Sequence, residues 1–137
     1  MSSIIDELKR KSFFYCEKGA SIAEIKTAED TLGIQFADDY RSCLIHYGAV
    51  SCGGHELTGI SKDMNLDVVK VTIQNRKRNP SADQHHYVIE ETHMDGIVVW
   101  QASSGEVYQT EYKGAPRKIY ESLEEYVYTF DNCSMNE

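Results

Sequence analysis

Cys43-x-x-His46 and Cys52-x-x-His55 together make a C-x2-H-x5-C-x2-H pattern. Two thiolates and two imidazoles are a donor set that suits a structural zinc ion. Cys43 and His46 lie three residues apart, close enough to converge on one helical face. Against zinc, the two pairs are close together, and Cys43 falls on an apolar stripe with Leu44 and Tyr47. A free cysteine in such a stripe serves as a small hydrophobe. Zinc at Cys43, His46, Cys52 and His55 therefore stands as the lesser reading beside core cysteines with exposed histidines, and no cofactor is expected. His85-His86 and His93 read as an exposed polar loop, since no carboxylates are arranged to orient their imidazoles. Cys52 and His55 could pair as nucleophile and base, but nothing in the sequence supplies an oxyanion hole or a third orienting group. There is no Gly-x-Ser-x-Gly elbow, and Ser51-Cys52-Gly53-Gly54-His55 lacks the Lys-Ser/Thr of a phosphate loop. Gly53-Gly54 is read as a flexible turn between helix and strand. The expectation is a protein that is not an enzyme.

Charge points elsewhere. The 137-residue chain carries a net charge of −8. Residues 1–82 hold eleven acids and eleven Lys or Arg, whereas residues 83–137 hold eleven acids and three bases. An acidic half argues against direct nucleic-acid binding, which needs cations to displace counterions. It suits a basic protein partner, whose approach it would steer, although an acid excess also serves solubility alone. The carboxylates are the better functional candidates: Glu90 and Glu91 at a strand end, Asp95 in a hairpin, and Glu106 and Glu111 flanking another strand. Tyr108 and Tyr112 lie among them, and tyrosine is enriched at interface hot spots. These seven residues form the expected partner-binding set; the alternative for each tyrosine is a ring covering the sheet. Glu90 and Glu91 should point to opposite sheet faces. Glu121, Glu124 and Glu125 are partly explained by a helix N-terminus, and Arg76-Lys77-Arg78 by a helix C-terminus.

The elements that position these groups follow from periodicity. Residues 3–15 read as a helix with Ile4, Ile5 and Leu8 inward and Lys9-Arg10-Lys11 on a solvated face. Ser21-Ile22-Ala23-Glu24 is a capping box opening a helix that Gly33 ends. Asp38 is expected to cap a second helix bearing Tyr40, Cys43, Leu44 and Tyr47, stopped by Gly48. Glu56 to Ile60 reads as the first strand. Asn65 is expected to cap a further helix with Leu66, Val69 and Ile73 as its stripe, ended by Asn79-Pro80. The period then changes to two. Strands are expected at 87–91, 97–101 and 106–110, with Asp95-Gly96 and Ser103-Ser104-Gly105 as turns, and Ile119-Tyr120 as a short addition. Ser122-Leu123-Glu124-Glu125 opens a last helix with Leu123, Tyr126, Val127 and Phe130 on one face. The fold class is α+β: N-terminal helices, a central antiparallel meander and a C-terminal helix.

No run of about 18 apolar residues would span a membrane, and Met-Ser-Ser-Ile-Ile-Asp-Glu does not resemble a signal peptide. A cytoplasmic protein is expected, with Cys16, Cys43, Cys52 and Cys133 reduced and residues 1–137 forming a single domain.

The ordered set Ile22, Ile25, Glu29, Leu32-Gly33, Asp39-Tyr40, Leu44, Tyr47-Gly48 and Leu57-x-Gly59 resembles the SUKH superfamily, the cell-wall-assembly-regulator (Smi/Knr-like) family. Asp95-Gly96, Gly105-Glu106-Val107 and Ser122-Leu123-x-Glu125-Tyr126 extend the resemblance. Phe36-Ala37 stands where that family usually has Leu-Pro, and Ala49-Val50-Ser51 where it has more glycine. The resemblance implies an immunity protein that neutralises a cognate toxin, of nuclease type, by stoichiometric binding. The alternative under the same resemblance is a regulatory or scaffolding interaction module of the same fold.

Overall fold

The computed structural model describes residues 3–133. Met1 and Ser2 of the leader reading, and Glu137 of the acid excess, lie outside the described residues. In chain order the elements are α1 (Ile4–Lys9), β1 (Tyr15–Cys16), α2 (Ile22–Leu32), α3 (Asp38–His46), β2 (Val50–Cys52), β3 (His55–Leu57), α4 (Val68–Arg78), β4 (Tyr87–Glu91), β5 (Ile97–Gln101), β6 (Val107–Glu111), β7 (Arg117–Tyr120) and α5 (Leu123–Val127). Two antiparallel sheets result, β1-β2-β3 and the meander β4-β5-β6-β7. This is the expected α+β class.

One face of the meander packs on the main core, where Leu8, Ile25, Leu32, Phe36, Tyr40, Leu44, Ile89, Val99 and Leu123 meet. A buried leucine such as Leu8 or Leu44 contributes about 1.5–3 kcal/mol relative to exposure. The other face carries Val88 and Trp100 against Val71 of α4. Phe36, Tyr40 and Tyr87 form an aromatic trio with centroids 4.9–5.2 Å apart. Their buried hydroxyls are satisfied, as burial requires. Tyr87 donates to Gln101 Oε1 at 2.6 Å and accepts from the Ala37 N–H, while Tyr40 reaches the Thr58 carbonyl at 3.0 Å.

The residues that carry the family pattern have mechanical work here. Glu29 accepts the Phe36 N–H at 2.8 Å and Arg41 at 2.6 Å, fixing the α2–α3 linker. Asp39 accepts from Gln101 Nε2 at 3.0 Å and from the Leu123 N–H at 2.9 Å, tying α3 to β5 and to the start of α5. Gly59 lets the chain pass within contact of Gly48, where a Cβ would sit 2.4 Å from backbone atoms.

Local signals that involve only neighbours are realised. The Ser21–Glu24 box is closed in both directions, and Gly33 has φ 69°. Ser122 accepts the Glu125 N–H, as expected at the start of α5. Other expectations are corrected. The 3–15 helix stops at Lys9, because the Ser12 N–H is drawn to the Asp131 carbonyl and the Ser12 carbonyl accepts the Gly53 N–H. Lys11 is not on a solvated face. It is buried, 3.0 Å from Glu7 and donating to Asn132 at 2.7 Å. Asp38 is the first helical residue, and the cap is Ala37, with no side-chain bond. The segment before 56 is not merely a turn, since Val50–Cys52 and His55–Leu57 form a hairpin around Gly53-Gly54. Asp67, not Asn65, caps α4. The buried face of α4 is Val68, Val71, Thr72 and Asn75, with Ile73 exposed, because Thr72 and Asn75 are needed inside as hydrogen-bonding groups.

Candidate functional site

A bulge in β4 decides where the first two candidate carboxylates go. Val88 pairs with Trp100 and Glu90 with Val99, so Ile89 is the extra residue and the alternation slips by one. Glu90 then joins Val99 on the core side, and Glu91 takes the other face. The two do diverge, as the strand reading expects.

Glu90 is nevertheless lost to any partner surface. It is buried, with His55 Nδ1 3.0 Å from both of its oxygens, and it accepts the Tyr126 hydroxyl. The His55 ring stacks on Phe130 with centroids 3.7 Å apart. Burial, and then the Glu90 charge, push the Tyr126 hydroxyl well above its ordinary value, so it remains a donor. A buried charge demands such partners. The sequence alone could not assign them, because His55 and Tyr126 come from distant elements.

Glu91 accepts from Asn75 Nδ2 at 2.8 Å and lies 3.7 Å from Arg78. It stands in the wall of a groove of about 840 Å³ between the last turn of α4 and the open end of the meander. Ile97, Val98 and Trp100 line it from β5, and Lys77, Arg78 and Lys113 stand along it. Asp95 sits beside it in the β4–β5 hairpin, exposed, with φ 53° at Asp95 and 66° at Gly96. Such paired positive φ values suit Asp-Gly. Tyr112 follows Glu111 at the end of β6. Its N–H donates to the Gly96 carbonyl at 2.9 Å, and its ring rests where a Gly96 Cβ would be. Tyr112 is 71% exposed and has φ 50°. Glu111 is exposed at the same edge. Asp95, Glu111 and Tyr112 thus share the hairpin edge of the sheet, whereas Glu91 lies on the α4 face and Glu111, opposite Ile97, alternates to the other.

Glu106 and Tyr108 are not part of that group. Glu106 precedes β6 by one residue, and five steps along the strand place it roughly 17 Å from Glu111. The Ser104 hydroxyl donates to Glu106 and holds its carboxyl below the usual range. Tyr108 stacks on His86 with centroids 4.4 Å apart. His86 is buried, which corrects the exposed-loop reading for that histidine, and burial lowers its pKa despite the opposing pull of Asp83 and Glu106. Tyr87 is wholly buried.

The cysteine–histidine pattern is not drawn into one site. Cys43 and Cys52 point into the core, and burial raises both thiols, that of Cys52 to about 11. His46 is exposed and bonds the Ser42 carbonyl at 2.9 Å, while His55 is held by Glu90. Among the described residues, no three His, Cys, Asp or Glu side chains are placed to hold a metal ion. A high thiol pKa also opposes nucleophilic use, since the thiolate is the reactive form. No helix among the described residues is long and apolar enough to cross a membrane.

Two features went unread in the sequence. One is the Glu7–Lys11 pair, whose i,i+4 spacing was available as a signal. The other is Phe13, 84% exposed at φ 54°, for which the sequence carries no local cue.

No curated protein matches the chain. A family model described as SMI1-KNR4 cell-wall (SUKH_6) matches residues 22–127, from the first residue of α2 to the last of α5. That span contains Glu29, Asp39, Gly48, Gly59 and the whole meander, the parts whose contacts define the fold above. With most of its length matched, the chain belongs to the SUKH superfamily, in the SMI1-KNR4 cell-wall family.

Proposed function

We propose that this member of a protein-interaction family is an immunity protein that acts in the cytoplasm. It binds a cognate toxin domain, of basic nuclease type, and blocks it stoichiometrically without catalysis. The observation that carries the reading is the edge where Tyr112 projects into solvent beside the exposed carboxylates of Asp95 and Glu111. A rigid aromatic held by its backbone loses little side-chain freedom on binding, and aromatics of this kind anchor interfaces. Exposed carboxylates around it would raise the rate of encounter with a basic partner. Glu106 supports the same field from the far end of the sheet, whereas Glu90 and Tyr108 serve packing.

The test is co-expression with the toxin-like product encoded beside the gene, scored by survival and by a 1:1 complex on light scattering. Asp95→Lys with Glu111→Lys should slow association at low salt with little change at high salt, and Tyr112→Ala should speed dissociation. Rescue that survives all three substitutions would refute this surface. Weak binding to several unrelated partners, without rescue, would favour the regulatory or scaffolding module instead.

A further inference from the structure

The groove beside β5 has the opposite charge character from the rest of the C-terminal half. Of the three basic residues after position 82, Lys113 stands on its wall, and Lys77 and Arg78 face it from α4. Among the described residues, the acid in the wall is Glu91, which is already engaged by Asn75 and lies near Arg78. The carbonyls at the end of α4 offset part of this positive charge, but three cations against one engaged carboxylate leave a cationic wall on a chain of net −8.

The floor is apolar, and the fold does not cover it. Val88 and Trp100 are sealed by Val71 of α4, but Ile97 and Val98, on the same central strand as Trp100, remain half-buried where α4 ends. Tyr112 closes the far side, its ring lying against Gly96. A slot of about 840 Å³ between an apolar strand and a tyrosine ring has the size of a small-molecule pocket.

We propose that this groove is a binding site for one small organic anion with a flat apolar body, its charge met by Lys77, Arg78 and Lys113. Charge complementarity with Lys77, Arg78 and Lys113 selects an anion over a neutral or cationic compound. The groove borders the edge proposed for the toxin through Tyr112, but anion binding is read on the full chain without a partner, so either reading can fail alone.

The experiment titrates the full chain with 8-anilinonaphthalene-1-sulfonate, and in parallel with N-phenyl-1-naphthylamine, its uncharged analogue. The expected result is one anion bound per chain, with affinity falling in salt. Lys77→Glu with Lys113→Glu, both at exposed positions, should weaken the anion about tenfold and leave the neutral probe unchanged. Tyr112→Gly, which suits the backbone at φ 50°, should weaken both. Thermal melts of each variant confirm that the fold is retained. Anion binding indifferent to Lys77→Glu/Lys113→Glu, several anions per chain, or no binding at millimolar probe would overturn the proposal.

Discussion

Replacing Glu90 should unfold the protein more readily rather than weaken a partner. In Glu90→Ala the Tyr126 hydroxyl, buried on the core side, loses its acceptor, and His55 loses a carboxylate 3.0 Å away. An unsatisfied buried polar group costs about 1–3 kcal/mol. His55 is partly exposed and can turn to water, so Tyr126 dominates. A small cavity adds to it, giving a loss of about 2–4 kcal/mol. Against a total stability of about 5–15 kcal/mol that is a large fraction, equivalent to roughly 10 °C in melting temperature. Glu91→Ala provides the contrast, because Asn75 Nδ2 keeps its bond to the Val71 carbonyl at 2.9 Å. It should cost about 1 kcal/mol or less, and the exposed Glu111→Ala about 0.5 kcal/mol or less. Urea denaturation of the three variants measures the ranking. In the double variant Glu90→Ala/Tyr126→Phe the orphaned hydroxyl is gone, so the loss should be smaller than the sum of the single losses. A Glu90→Ala midpoint equal to that of Glu111→Ala, or strict additivity with Tyr126→Phe, would refute the buried-network account.

The other predictions rest on separate parts of the fold. His86 holds fewer protons folded than unfolded, because burial lowers its pKa from the ordinary 6.5. Its contribution to stability is therefore complete above about pH 6.5 and declines as pH falls below that value; His86→Gln should flatten the melting temperature between pH 7.5 and 5, and an unchanged slope would exclude this origin. Gly59→Ala should destabilise by more than about 3 kcal/mol, since its Cβ would meet backbone atoms of Gly48 and Ala49 at 2.4 Å that cannot yield. Gly54→Ala, at φ 84° with open space around it, should cost only about 1 kcal/mol, so equal losses in denaturation would contradict the close-approach argument. A thiol reagent at pH 8 should modify exposed Cys133 in the native protein, and reach Cys43 and Cys52 only on unfolding.

What could be read in advance was whatever neighbours in sequence decide. The capping box at Ser21–Glu24, the stop at Gly33, the cap at Ser122 and the Asp95-Gly96 turn are satisfied by atoms within a few residues, so residue type and spacing suffice. The same holds for the meander, whose strands alternate and are joined by short turns. The acid excess after residue 82 was also legible, as was the divergence of Glu90 and Glu91. The phase of α4 was not, because aliphatic residues surround that helix and the choice fell to Thr72 and Asn75, whose partners Val88 and Glu91 lie on another element. The strands of β1 and β2 are two and three residues long, too short for a period to register.

Composition and local spacing by themselves determined the fold class, the order of the longer helices and meander strands and the sign of the net charge, since these depend on hydrophobic period, caps and charge count. Tertiary structure alone decided which candidate residues face solvent. The bulge at Ile89 turned Glu90 inward to His55 and Tyr126, packing sent Cys43 and Cys52 into the core away from His46, and the end of α4 left β5 open beside Lys77, Arg78 and Lys113. Each outcome depends on contacts between residues far apart in the chain. Burial and pairing are properties of the packed surfaces, and no single segment carries them.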